Sequence, residues 1–214
     1  MKRLKTLFKI LAILPVIMLC ISCNPLSDDT HSASMLIVED LVGTDMEGNE
    51  GNFLQSDVIF QDPDDPTKDT IYADSAAVTF RGRLLDPASL TGPSYYNDIT
   101  VTRYIVSYIR ADGRNTEGVD VPYSFEGNLS VVVPIDSAKG ATFVIVREVA
   151  KLESPLIGLQ TWRDAGVIEA TAKVDFYGQD QTGNTIKATG YLTVFFANYA
   201  NAASAAPATT GGSS

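Results

Sequence analysis

Two stretches near the C-terminal end alternate apolar and polar residues without a break. Ile168, Ala170, Ala172, Val174 and Phe176 interleave with Glu169, Thr171, Lys173 and Asp175. Ile186, Ala188, Gly190, Leu192, Val194 and Phe196 interleave with Thr185, Lys187, Thr189, Tyr191 and Thr193. Successive side chains of an extended strand point to opposite faces, so a period of two with one apolar face describes a half-buried strand and excludes a helix. Between them, Gly178-Gln179-Asp180-Gln181-Thr182-Gly183-Asn184 is rich in turn formers. The pattern predicts a hairpin with its even-numbered face on a core.

The rest of the chain reads the same way. Residues 98–110 place Ile99, Val101, Ile105 and Ile109 on one face and Thr100, Thr102, Tyr104, Val106 and Tyr108 on the other. Further strands are expected over residues 35–41, 57–61, 76–85, 123–133 and 142–151, and one helical turn within 154–165. Strands at roughly ten-residue spacing with Gly, Pro and Asp turns predict an all-β fold, an antiparallel sandwich, with a small barrel as runner-up. The segment Ile99-Thr-Val-Thr-Arg-Tyr-Ile-Val-Ser-Tyr-Ile-Arg-Ala-Asp-Gly113 resembles a central strand of fibronectin type III-like modules. The hairpin beginning Val174-Asp-Phe-Tyr-Gly-Gln-Asp resembles the last two strands of bacterial immunoglobulin-like domains. These resemblances imply an immunoglobulin-like sandwich, expected as one domain over residues 35–199.

The first residues read as an address. Lys2, Arg3, Lys5 and Lys9 precede an apolar run from Ile10 to Ile21 that is interrupted by Pro15. A bilayer-spanning helix needs about 20 apolar residues, so this run fits the core of a signal peptide instead. Leu19-Cys20-Ile21-Ser22-Cys23 resembles the lipobox of bacterial lipoproteins, with Cys20 where that family usually has Leu. The resemblance implies cleavage after residue 22 and lipid on Cys23. Residues 23–34 then form a polar tether. Asn24, in place of the Asp that retains such proteins at the inner membrane, implies the outer membrane of a Gram-negative envelope. Residues 200–214 are a low-complexity tail expected to be disordered.

Residues 1–22 hold four of the 16 basic residues and none of the 26 acidic ones, so the chain from Cys23 onward carries a net charge of −14. Such a body repels phosphate, and nucleic acid is not an expected partner. Its only cysteine is Cys23, which excludes an internal disulfide, a Cys-based zinc site or a second thiol nucleophile.

Catalysis has little to work with. The single histidine, His31, lies in the expected tether, where no rigid triad can hold it. Paired carboxylates would suffice for a glycan hydrolase, and Glu126, Glu148, Glu153, Asp164 and Glu169 are the acids considered. Calcium is the cation the loop oxygens would suit: Asp62, Asp64, Asp65 and Asp69; Asp112, Asn115, Glu117 and Asp120; Asp180 and Asn184. None of these loops matches an EF-hand pattern, and Pro63 and Pro66 also read as a rigid turn. Exposed aromatics are a better handle for a ligand, and Tyr95, Tyr96, Tyr104, Tyr108 and Tyr191, with Phe195, are expected to face one. The reading is a non-enzymatic binding or structural module, lipid-anchored in the envelope, that binds a protein or glycan there or forms part of a larger outer-membrane assembly. The alternative is a glycan hydrolase.

Overall fold

The computed structural model describes residues 32–61, 65, 68–88, 92–160 and 166–199. Cys23, His31, Asp62, Asp64, Asp164 and the 200–214 tail lie outside them. The described residues form two sheets. One has the order β2 (Glu50–Gly51), β1 (Ser34–Thr44), β4 (Asp74–Leu84), β7 (Ala138–Val146). The other runs β3 (Phe53–Asp57), β9 (Thr185–Ala197), β8 (Ile168–Asp180), β5 (Ile99–Ile109), β6 (Phe125–Val133).

The expected hairpin is β8–β9. Its even-numbered residues from Ala170 to Phe176 and from Ile186 to Phe196 face inward, in the order the alternation predicts. A quartet of rings joins the sheets. Phe80 of β4 meets Phe176 of β8 edge-on at 4.9 Å, and Phe143 of β7 meets Tyr104 of β5 at 4.8 Å and Phe176 at 5.3 Å.

Several expectations need correction. The fold is not wholly antiparallel, because β3 runs parallel to β9. After the turn at residues 45–49 the chain leaves the first sheet through β2 and joins the second as β3, pointing the same way as β9. Ser34, expected in the tether, already opens β1, and Ser32 before it is buried. The strand expected to reach Lys151 ends at Val146, and a helical turn, α1 (Glu148–Lys151), follows. A second turn, α2 (Ile157–Gln160), falls where one was expected.

The parity of β5 changes midway. Its register shifts between Val101 and Arg103, so Thr102 is the extra residue of a β-bulge. Ile99 and Val101 face the core before it; Tyr104, Val106 and Tyr108 face the core after it. A bulge adds one residue and so exchanges the two faces of everything beyond it.

Gly127 of β6 lies opposite Tyr104 in the ladder, and a Cβ there would run into the tyrosine ring. Gly127→Ala is expected to displace that ring and cost about 1–3 kcal/mol, the usual range for overpacking, measured by urea unfolding.

Candidate functional site

Polar groups collect at the end of the sandwich where β4 begins and β3, β7 and β9 finish. On β3, Leu54 and Ser56 point inward, which puts a hydroxyl in a core position. Just past β7, α1 folds the chain back over this end and carries Lys151 inside, with only 1% of its side chain exposed. The Lys151 Nζ donates to the Asp57 carbonyl at 2.7 Å and lies 2.9 Å from Asp74 Oδ2. Ser56 Oγ donates to the same Asp74 oxygen at 2.6 Å. Gln160 of α2 braces the turn by donating to the carbonyls of Val58 and Lys151 at 3.1 and 2.7 Å. Asn198 donates to the Gln160 carbonyl at 3.2 Å, and Tyr199 N–H donates to Asp57 Oδ1 at 3.2 Å.

Burial pushes the Asp74 carboxyl up, against the pull of the Lys151 ammonium and the Ser56 hydroxyl. Burial also raises Asp57, and its Oδ2 has no hydrogen-bond partner among the described residues. A surface cleft of about 460 Å³ reaches this cluster, walled by Thr44, Glu50, Leu54, Gln55, Asp74 and Thr142.

The acids considered from sequence are not here. Glu126 pairs with Arg103 at 3.2 Å, Glu148 sits in the first turn of α1, and Glu153 follows that turn. Glu169 and Asp112 line one shallow cavity of about 250 Å³. There the Arg110 guanidinium holds Asp112 at a pKa of about 2, unsuited to a general acid. No motif or periodicity in the sequence marks Asp57, Asp74 and Lys151. Their one signal is charge inside otherwise apolar surroundings, as at Val149-Ala150-Lys151-Leu152.

The aromatic residues divide. Tyr95 and Tyr96 stand on a 3-10 turn, Tyr95–Asn97, 69% and 65% exposed, with rings edge-on at 6.3 Å. Tyr191 is 60% exposed on the outer face of β9. Tyr104 and Tyr108 are each 4% exposed and do not face a ligand, because the bulge at Thr102 turns them into the core. There the Tyr108 hydroxyl donates to the Ile145 carbonyl at 2.6 Å. Phe195 packs edge-on against Phe53 at 6.1 Å.

The loop oxygens are engaged by N–H and O–H donors. Asp180 Oδ1 accepts from Thr182 N–H, Thr182 Oγ1 and Asn184 N–H at 2.9, 2.6 and 3.0 Å, and Asp180 Oδ2 accepts from Asn184 Nδ2 at 3.1 Å. Asp120 accepts from Arg114 Nε and Thr116 N–H. Among the described residues, no three His, Cys, Asp or Glu side chains are placed to hold a metal ion.

Burial pushes Asp180 up, but the donors of Thr182, Ser32 and Asn184 together outweigh it and hold the carboxyl well below the usual range. A lowered native pKa contributes stability above the unfolded-state value and loses it as pH falls through the native one. Asp180→Ala is therefore expected to lose about 1–2 kcal/mol at neutral pH, with the gap to the wild type closing well below pH ~3.9. Melting curves across that range test it.

No protein-family model matches the chain, and no curated protein matches it either.

Proposed function

We propose that this protein is a non-catalytic binding module with an immunoglobulin-like fold, displayed at the cell envelope by lipid on Cys23. Strand order supports the fold reading. With β1, β4, β5, β7, β8 and β9 as strands A, B, C, E, F and G, one sheet carries A-B-E and the other G-F-C. In this reading β3 continues the first strand onto G, which accounts for its parallel pairing.

The observation that carries the binding role is the Tyr95–Tyr96 pair. Two large rings held in a turn keep most of their apolar surface in water, and a partner that covers them gains by removing that surface from water. Aromatic faces stack on sugars and anchor protein interfaces at low entropic expense. The ligand class is therefore an envelope glycan or an envelope protein.

The full lipoprotein, immobilised and presented with envelope extract and with purified envelope glycans, is expected to retain a ligand. Tyr95→Ser/Tyr96→Ser should weaken that retention about 30-fold or more, the range of interface hot spots, while leaving the melting temperature unchanged. Unchanged retention by the double variant overturns the assignment. The anchor is tested separately. Labelled palmitate should enter the wild type and not Cys23→Ser, and a labelled serine form overturns Cys23 as the acceptor.

A further inference from the structure

We propose that Lys151 and Asp74 condense after folding into an amide that ties the turn after β7 to the start of β4, with Asp57 as the proton relay. The bond is independent of the lipid anchor and of the ligand at Tyr95 and Tyr96.

The reacting groups are already placed. Lys151 Nζ is 2.9 Å from Asp74 Oδ2, one bond from the carboxyl carbon. Its hydrogen bond to the Asp57 carbonyl at 2.7 Å stops the chain from swinging away. Ser56 donates to that same carboxylate oxygen at 2.6 Å and so polarises it. Holding two reactants at contact distance in a rigid site replaces a bimolecular encounter with an intramolecular one. Lys151 is almost wholly inside the protein, so its amine is shielded, while Asp74, 19% exposed, borders the surface cleft into which the released water can leave.

The chemistry closes without a co-reactant. The ammonium of Lys151 gives up a proton, and the neutral amine adds to the Asp74 carboxyl carbon. A C–N bond forms, one C–O bond breaks, and the departing oxygen leaves as water with the protons the amine has shed. Ammonium plus carboxylate becomes amide plus water, with no oxidation or reduction. A shuttle is needed to move protons from nitrogen to the leaving oxygen. The Lys151 Nζ already donates to the Asp57 main-chain carbonyl, and the buried Oδ2 of the Asp57 carboxyl has no hydrogen-bond partner among the described residues. Burial favours the protonated form of both carboxyls, the form in which Asp74 is electrophilic and Asp57 can donate. The product removes two charges that are expensive to keep in the interior.

Peptide mapping of the purified full chain tests the bond. Trypsin does not cut after an acylated lysine. The expected product is therefore a branched peptide, residues 69–81 joined to residues 148–163, lighter than the sum by one water. Lys151→Arg keeps the cation and should show only separate peptides. Asp57→Asn, checked as folded by circular dichroism, should show a much smaller linked fraction. Cleavage after Lys151 in folded wild-type protein, with residues 69–81 recovered free, overturns the proposal. A branched peptide joined instead to residues 188–214, lighter by one ammonia, would assign the bond to Asn198 and overturn Asp74 as the partner. Full linkage in Asp57→Asn overturns the relay.

Discussion

Phe176→Ala is expected to destabilise the domain by about 3–5 kcal/mol, a large share of the 5–15 kcal/mol that holds a typical domain together. The ring has no solvent exposure and sits where both sheets meet, touching Phe80, Tyr104 and Phe143. Its removal takes away apolar burial and leaves a void that three large rings on different strands cannot all move to fill. The midpoint of urea unfolding should fall sharply. Tyr191→Ala, equally aromatic but on the outer face of β9, should stay within about 0.5 kcal/mol of the wild type. If the two variants lose similar stability, the ring quartet is not the centre of the core.

The second large effect is expected at Lys151. Lys151→Met keeps the length of the side chain and removes its charge. It strands the Asp74 carboxylate and leaves the Asp57 carbonyl without its donor, and breaking a buried pair in this way costs about 3–5 kcal/mol. The pH dependence has a definite sign. Without Lys151 the buried Asp74 is raised further above its unfolded value. Its unfavourable contribution then grows as pH rises and fades toward the unfolded-state value near pH ~3.9. The deficit of Lys151→Met relative to wild type should thus shrink in mild acid. Adding Asp74→Leu separates two origins of the loss. If the native contact is an ion pair, the double variant recovers much of the stability, because apolar replacements of buried pairs are often neutral. If it is an amide, the double variant stays low, because the cross-link is gone in both.

The legible parts of this fold were those written at short range. The alternation of β8 and β9 named their core residues one by one, because a strand with one wet face must place its apolar side chains at every second position. The same rule failed on β5. Thr102 looks like any other strand residue, and its being surplus depends on how β5 pairs with β8. That one bulge moved Tyr104 and Tyr108 from an expected binding face into the core. Tyr95 and Tyr96 were legible as exposed because their loop has little apolar company to bury them.

What the amino-acid order determined alone was local: β-structure, the faces of β8 and β9, the presence of a turn between them, the acidic charge, and the shortage of histidine and cysteine. Tertiary structure decided which segments meet. Ser56, Asp57, Asp74 and Lys151 come from three separate stretches of chain, and no periodicity links them. Charges in the interior are tolerated only where their partners arrive with them, and those partners are chosen by the packing of whole sheets rather than by neighbours in sequence.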